Sequence, residues 1–304
     1  MTRASTLAGP AGGPAGSGRP IAVLLFSASL WGLTWWPLKG FAAAGLSGPL
    51  LSVLTYGAVA LFSGWLLVRE FGAWRAEAGV LAALAVVGGW ANVAFVSALM
   101  TGDVARVMFL FYLSPVWSVL GGRIFLGERV GGRRTLAVLL ALCGLWLVIG
   151  GTRSVLRPPS ATDWLALSAG LAFAGSNLLA RAGQRIPMAS KTVAVFVGCA
   201  LLSALATGWQ GAPVPALTFG LGAALLAYGA IWLVLATATW QYGVTHLESG
   251  RAGIVLAGEL LVGVLSAHWL GETSLGGAEW LGGGLIAAGA LLEATTPSRQ
   301  SSSR

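Results

Sequence analysis

Glu259 is the side chain of greatest chemical interest, because its carboxyl group lies in the middle of a long apolar run. Its neighbours Gly258 and Leu260 are uncharged, and the run extends over about residues 249–270. An ionised carboxylate at the centre of a bilayer costs roughly 2.5–3.5 kcal/mol. If the run crosses a membrane, Glu259 is therefore expected to face the protein interior. Two roles remain open: a group that binds a proton or a cation, or a hydrogen-bonded carboxyl that fixes helix packing.

Aromatic and amide side chains lie near the centres of several other apolar runs. Tyr and Trp suit a cavity that is mostly apolar with a few polar points, and their ring faces attract cations. Helix packing is the alternative for each ring, and interhelical hydrogen bonding is the alternative for each amide. The predicted substrate-binding residues are Trp31, Tyr56, Trp90, Asn92, Tyr112, Trp117, Asn177, Tyr228, Trp232 and Glu259, and the predicted coupling residue is Glu259.

Motifs for metal, cofactor or catalytic chemistry are absent from the sequence. His246 and His268 lie near opposite ends of predicted helices, and Cys143 and Cys199 lie in separate apolar runs without ligand spacing. No phosphate-binding loop, zinc-protease motif or nucleophile elbow is present. We therefore predict no metal site, no cofactor, no enzymatic activity and no direct use of ATP.

The composition requires a membrane around these residues. Of the 304 residues, 56% are hydrophobic and only 9% are charged, whereas an ordinary soluble domain is about 25% charged. A soluble chain of this composition would expose large apolar patches. The net charge of +8 is attributed to membrane topology rather than to nucleic-acid binding, because the basic residues lie in short loops.

Ten segments are long and apolar enough to cross a bilayer as helices, which takes about 20 residues each. Alternating strand patterns are absent, so an all-α membrane protein with ten transmembrane helices is predicted. The predicted spans are residues 20–38, 48–68, 78–99, 104–125, 131–150, 163–182, 191–209, 217–243, 249–270 and 277–294.

The basic residues also predict the orientation. With a cytoplasmic N-terminus, 14 of the 18 Lys and Arg residues lie on the cytoplasmic side and 4 on the other. Such a bias follows the positive-inside rule. We predict a multi-pass protein of the bacterial inner (plasma) membrane with both termini in the cytoplasm.

The chain divides into two similar halves of five spans. Asp103-Val-Ala-Arg106 opens the fourth span and Glu248-Ser-Gly-Arg251 opens the ninth, and both spans end in Leu-Gly-Glu, at 126–128 and 270–272. Each Asp/Glu–Arg pair has i,i+3 spacing on a helix, and it is either a gate or a terminus pair. The predicted parts are a disordered cytoplasmic lead 1–19, a first repeat 20–151, a loop 152–162, a second repeat 163–294 and a disordered cytoplasmic tail 295–304. Five is an odd number, so the second repeat is inverted in the membrane.

The repeated motifs resemble those of the drug/metabolite transporter superfamily, in its ten-helix EamA-type branch. The residues that carry the resemblance are Trp31-Gly32, the segment from Leu113-Ser114-Pro115 to Leu126-Gly127-Glu128-Arg129, Leu270-Gly271-Glu272, and the Gly-rich helix Leu281–Gly289. The resemblance implies a secondary transporter with its substrate site near the midplane between the repeats, and it favours export.

Two positions depart from the family pattern. Tyr56 stands where the family often has an arginine in the second span, and Leu260 follows Glu259 where the family often has a proline. Tyr56 and the segment Tyr112–Pro115 also resemble the aromatic amino-acid exporters of the superfamily.

The predicted function is alternating-access export of a small organic metabolite or drug-like solute. Coupling of this export to protons is one option. The partners are this solute, the lipid bilayer and protons, without nucleic acid, and the protein is a monomer or a homodimer. One alternative is an uncoupled facilitator that exports aromatic or other amino acids. The alternatives from other classes are a membrane-embedded enzyme and a non-transporting scaffold.

Overall fold

The structure is a computed structural model that describes residues 18–126, 131–148, 159–211, 214–246 and 249–295. This part of the chain is mainly helical and contains no strand. A 3₁₀ turn, Arg75–Glu77, and a π-helical segment, Ala227–Leu233, connect neighbouring helices. The α-helices are α1 Gly18–Gly32, α2 Trp35–Ala43, α3 Gly48–Ser63, α4 Trp65–Arg69, α5 Phe71–Trp74, α6 Ala78–Thr101, α7 Val104–Phe111, α8 Ser114–Leu126, α9 Gly132–Val148, α10 Ala161–Ala182, α11 Met188–Gln210, α12 Phe219–Leu226, α13 Val234–His246, α14 Ser249–Trp269 and α15 Gly277–Ala294.

The helices confirm the predicted all-α membrane fold. Each of the ten predicted spans coincides with one helix or with two consecutive helices. Among the described residues, seven segments are long and apolar enough to cross a membrane, and the fifth and tenth spans coincide with shorter apolar helices. The ninth span is α14. Large apolar side chains such as Phe62, Leu205 and Phe219 are largely exposed, as expected for a surface that lipid covers.

Helix contacts connect the two halves in a reciprocal way. The sixth span, α10, packs on the third span, α6, and on the fourth, α7 and α8; the first span, α1, packs on the eighth, α13, and on the ninth, α14. The second span packs on the seventh (α3 on α11), and the fifth packs on the tenth (α9 on α15). Exchanging the two halves leaves this set of contacts unchanged, which is the pattern that a pair of inverted repeats produces.

The contact between α9 and α15 depends on glycine. A Cβ atom on Gly282 would lie 2.6 Å from the Gly144 carbonyl oxygen, and one on Gly289 would lie 2.7 Å from the Ala137 carbonyl oxygen. No side chain fits at such distances, so the two backbones approach each other directly. Close approach at small residues is a principal source of helix association in lipid.

Several predictions concern residues outside the described part of the chain. These are most of the lead 1–19, the motif residues Gly127-Glu128-Arg129, most of the loop 152–162, Glu248, and most of the tail 295–304. The side chains of His246 and Arg251 also lie outside the described part. The boundaries of the two repeats and the disorder of the termini stay predictions.

Candidate functional site

The first span is broken at its middle. α1 ends at Gly32 and α2 begins at Trp35. Pro37 has no N–H to donate to the Leu33 carbonyl, which accepts a hydrogen bond from the Trp36 N–H instead (3.1 Å). The Thr34 N–H donates to the Trp31 carbonyl (3.1 Å). Thr34 therefore lies in a tightened turn, where its side chain is available to other spans.

The fourth span is broken in the same manner. α7 ends at Phe111 and α8 begins at Ser114. Pro115 cannot donate to the Phe111 carbonyl, and the Leu113 N–H donates to the Leu110 carbonyl (3.3 Å) rather than continuing the regular helix. Tyr112 lies at this break.

The eighth span contains the π-helical segment Ala227–Leu233, which carries both Tyr228 and Trp232. Trp232 Nε1 donates to Thr34 Oγ1 (3.1 Å), so this segment contacts the break in the first span. The Tyr228 ring packs edge-to-face on Phe41, with 5.5 Å between the ring centroids. The Tyr228 hydroxyl lies near Thr34 but makes no hydrogen bond of standard geometry. Short π-helical segments occur frequently at functional sites.

Glu259 contacts both helix breaks. Its carboxyl group lies beside the Tyr112 hydroxyl at the break in the fourth span. Its backbone faces the break in the first span, where a Cβ on Gly32 would lie 2.7 Å from the Glu259 carbonyl oxygen. Glu259 is only 6% exposed, so its carboxyl group faces the protein interior and not lipid.

Two further predicted residues form a packed hydrogen-bonded pair. The Tyr56 hydroxyl donates to Asn92 Oδ1 (3.1 Å), and Asn92 Nδ2 donates to the Gly88 carbonyl (2.9 Å). The Tyr56 ring packs edge-to-face on Phe196 and is 2% exposed. This pair connects α3 with α6 and α11.

The remaining predicted residues differ in their surroundings. Trp31 is half-buried against the main core, and Trp117 is half-buried with a buried, unpartnered indole N–H. Trp90 is 38% exposed and donates to Ser168 Oγ (3.3 Å), and Asn177 is exposed on α10. The structure thus brings Glu259 and Tyr112 into contact, connects Trp232 to the same level through Thr34, and places Trp90 and Asn177 at exposed positions.

Sequence analysis did not identify Thr34 and Phe111. Thr34 accepts the Trp232 hydrogen bond, and the only sequence signal for it is its position three residues before Pro37. Phe111 lies at the centre of an aromatic cluster with Phe95, Tyr112 and Phe173, at centroid distances of 4.3, 5.7 and 5.4 Å. These rings surround the break in the fourth span.

The two faces of the protein that meet the membrane surfaces are named here after Gly102 and Arg181. The Gly102 face contains Gly102, the α2–α3 corner at residues 44–47 and the start of α10; the Arg181 face lies at the other end of α10. By the distribution of basic residues, the Arg181 face is the predicted cytoplasmic face.

The first and fourth spans have different neighbours on the two sides of their breaks. Toward the Gly102 face, α2 packs on α6 and α14, and α7 packs on α6, α10 and α14. Toward the Arg181 face, α1 packs mainly on α13 and α14, while α8 packs mainly on α9 and α10. The buried residues of α10 end at Ala174, and none lies between Gly175 and Ala182. The fourth and sixth spans are thus more densely packed on the Gly102 side than on the Arg181 side.

A small apolar recess, with room for about one water molecule, lies behind the break in the fourth span. It is bordered by Tyr112 and Pro115 of the fourth span, Ala141 of α9 and Ile286 of α15, and no charged residue lines it. Within the described residues, no group of three or more His, Cys, Asp or Glu side chains is placed to hold a metal ion. The site therefore offers one carboxyl group, several hydrogen-bonding groups and aromatic faces, which suit binding of a small solute or a proton.

The inverted pairing of apolar helices, the broken spans and the interior carboxyl group are typical of polytopic membrane transporters. Residues 19–150 match the sequence profile of the EamA-like transporter family. The resemblance predicted from the sequence is thereby confirmed for residues 19–150, which lie in the first half of the chain.

Two curated relatives are also transporters by name. The chain is 28% identical over 284 residues to a protein of Streptantibioticus cattleyicolor named "Probable terminal-alkyne amino-acid exporter", across 86% of this chain and 91% of the relative. It is 32% identical over 169 residues to the "Uncharacterized transporter YwfM" of Bacillus subtilis, across 54% of this chain and 55% of the relative.

A solved structure described only as "Crystal structure of protein" has a similar fold. The TM-score is 0.58 with 22% sequence identity, and the match covers 90% of this chain and 96% of the other. At this identity the likeness concerns the fold alone, and it extends over both repeats.

Proposed function

We propose that this transporter exports a small amino acid, or a related solute with an ammonium group, by alternating access, and that Glu259 binds a proton and the ammonium group in turn. The observation that carries the proposal is the position of Glu259. It is a buried carboxyl group that lies at the breaks of two spans, beside the Tyr112 hydroxyl and in close approach to Gly32.

The charge of the site supports a solute with a positive group. Among the described residues, Glu259 is the one ionisable carboxyl group at the level of the breaks. No described lysine or arginine side chain lies beside it. An ionised carboxylate inside the membrane is costly unless a cation or a proton neutralises it. Exchange of an ammonium group for a proton at one carboxyl group would therefore couple solute export to proton entry.

The aromatic residues near the breaks support the same class of solute. Trp31, Tyr112 and Trp232 are partly buried and pack against the core at the breaks. Their rings offer apolar area for a side chain and faces that attract a cation. The name of the Streptantibioticus relative, an amino-acid exporter, agrees with an amino acid as the solute.

The helix breaks support alternating access as the mechanism. Discontinuous helices near the midplane, in a pair of inverted repeats, are typical of secondary transporters. In this structure the first and fourth spans take different neighbours above and below their breaks. We propose that each span bends at its break when the site changes its accessible face.

Flux measurements with Glu259→Gln test the proposal. The solute is first selected from amino acids and quaternary amines by thermal stabilisation of the purified protein. Its flux from proteoliposomes is then measured with and without a pH gradient. We expect Glu259→Gln to reduce the proton-driven flux at least about ten-fold, which corresponds to about 1.4 kcal/mol, because Gln cannot exchange a proton.

Two control variants make the flux result specific. Glu77→Gln changes a carboxyl group that lies near the Arg185 backbone, far along the chain from the breaks, and it should transport normally. Tyr112→Phe removes the hydroxyl beside Glu259 but keeps the carboxyl group, so coupling should persist at a lower rate. Full dependence on the pH gradient in Glu259→Gln would refute the coupling role and favour an uncoupled facilitator.

A further inference from the structure

A bidentate ion pair joins the two repeats at the Gly102 face. Arg106 Nε donates to Asp163 Oδ1 (2.7 Å), and an Arg106 Nη group donates to Asp163 Oδ2 (2.9 Å). Arg106 belongs to the fourth span and Asp163 to the sixth, so the pair connects α7 of the first repeat with α10 of the second. The Asp163 side chain is 7% exposed and the Arg106 side chain is 37% exposed. A bidentate pair of this kind has both charge and directional geometry.

This ion pair differs from the local pair that the sequence indicates. The i,i+3 spacing predicts that Arg106 pairs with Asp103 on the same helix. In the structure, Asp103 Oδ1 instead accepts the backbone N–H of Arg106 (2.9 Å) and caps α7. The guanidinium group is left to bind Asp163, because the sixth span passes beside the start of the fourth.

Local hydrogen bonds hold both partners in position. The Asp163 carboxylate accepts the Ser160 backbone N–H (2.9 Å), and Ser160 Oγ accepts the Asp163 N–H (3.1 Å), which together form a capping box at the start of α10. Since each helix start is fixed by its own cap, the ion pair reports directly on the separation of α7 and α10.

Neighbouring contacts close the same face. Lys39 Nζ donates to the Gly102 carbonyl (2.8 Å) and lies 3.9 Å from Glu272 Oε2 at the end of the ninth span. A Cβ on Gly102 would lie 2.5 Å from Thr162 Cγ2, beside Asp163. The ends of the first, fourth, sixth and ninth spans are therefore connected at the Gly102 face.

The start of the first span has no carboxyl group to form the equivalent pair at the other face. In the alignment of the two repeats, Arg251 corresponds to Arg106. The start of the first span corresponds to the start of the sixth span, where Asp163 lies. Residues 1–69 contain neither Asp nor Glu, and the first acidic residue of the chain is Glu70. The sequence thus excludes the mirror-image ion pair at the start of the first span.

We propose that the Arg106–Asp163 pair is a one-sided latch, which stabilises the conformation closed at the Gly102 face and has no counterpart for the opposite conformation. The proposal rests on the alternating access of the proposed function. In inverted repeats, the two end conformations exchange the roles of the repeats. An ion pair present in only one of them shifts the equilibrium toward that one. The resting transporter is therefore held open toward the Arg181 face.

Distance measurements between spin labels test the latch without any solute. Nitroxide labels are placed on cysteines at two exposed positions of the Gly102 face, Ala44 in the first repeat and Pro159 directly before α10 of the second repeat, with Cys143 and Cys199 replaced by alanine. Arg106→Gln and Asp163→Asn should raise the ratio of the longer-distance population to the shorter on the order of ten-fold. Arg106→Gln leaves the capping box of α10 intact, so it remains informative if Asp163→Asn folds poorly.

Two further variants separate the ion pair from local helix capping. Ser160→Ala removes the capping hydroxyl but keeps the ion pair, so it should lower the thermal unfolding temperature without changing the distances. The double variant Arg106→Asp with Asp163→Arg restores opposite charges and should recover part of the short-distance population.

Unchanged distances in both single variants overturn the latch, as does an equal lengthening in Ser160→Ala. The measurement uses neither a solute nor a proton gradient. Unchanged distances in a protein that still exports would therefore overturn the latch alone, while lengthened distances without proton-linked export would overturn the proposed coupling alone.

Discussion

The fourth and ninth spans hold equivalent places in the two repeats, but the fourth is broken and the ninth is continuous. The motifs at Asp103 and Glu248 set an offset of 145 residues (248 − 103), which aligns Ser114 with Glu259 and Pro115 with Leu260. The fourth span is interrupted between α7 and α8, whereas α14 runs without interruption through Glu259. The physical difference is proline, which lacks the N–H that a continuous helix needs.

This difference indicates that the repeats have diverged into separate roles. The continuous helix α14 holds the Glu259 carboxyl group in a fixed place, against Gly32 of the first span. The broken fourth span provides Tyr112, whose hydroxyl lies beside that carboxyl group at the interruption between α7 and α8. A conformational change can thus move the Tyr112 hydroxyl while the carboxyl group itself stays in position.

The largest expected effect comes from making the ninth span resemble the fourth. Leu260→Pro removes an N–H from the interior of α14 and replaces a side chain that is 1% exposed. We expect a loss of about 3 kcal/mol or more in the free energy of unfolding, measured by denaturant titration in detergent micelles. Leu260→Met keeps the volume and should cost less than about 1.5 kcal/mol. Equal stability of the two variants would show that α14 need not be continuous.

A smaller effect is expected from separating α14 from the first span. Gly32→Ala places a methyl group 2.7 Å from the Glu259 carbonyl oxygen and 2.9 Å from Val262 Cβ. We expect Gly32→Ala to lower the free energy of unfolding by about 1–3 kcal/mol and to slow transport. Gly258→Ala is the matched control, because nothing lies within 4 Å of its added Cβ. If both variants unfold at the same temperature as the unmodified protein, the close approach does not fix Glu259.

The smallest effect on stability is expected from making the fourth span resemble the ninth. Pro115→Ala restores an N–H that can donate to the Phe111 carbonyl, so the span should become more regular. Hydrogen exchange measured by mass spectrometry should slow for residues 112–117, and transport should slow while stability changes by less than about 1 kcal/mol. Pro49→Ala is the control, because Pro49 lies in the first turn of α3, where its missing N–H leaves no bond unmade. Faster transport in Pro115→Ala would contradict a role for the break.

Much of this architecture could be predicted from the sequence, because the bilayer constrains each segment separately, through its length and its polarity. Apolar length predicts the ten spans, and the cost of a carboxylate in lipid predicts that Glu259 faces inward. Pro37 and Pro115 indicate the breaks of the first and fourth spans. Because Leu260 and not a proline follows Glu259, the sequence also agrees with the continuous helix α14.

The contacts between spans could not be predicted, because they depend on how distant helices pack. Trp232 and Thr34 are 198 residues apart in the chain, and no local pattern pairs them. The same reason explains why Arg106 binds Asp163 and not the nearer Asp103. The π-helical segment around Tyr228 has no proline to indicate it. The sequence predicts that Tyr56 binds the solute, and the structure shows it bonded to Asn92 in dense packing, so its role in binding stays a prediction.

The glycine contact between α9 and α15 has a consequence for the biosynthesis of the protein. The fifth span is short, and its main partner among the described helices is α15, the tenth span. During translation the fifth span must therefore stay in the bilayer without this partner until four further spans have been inserted. Premature termination before α15 would leave the Gly144 backbone facing lipid, and membrane quality-control proteases would meet an unpaired helix. The tenth span thus completes the assembly of the first repeat as well as that of the second.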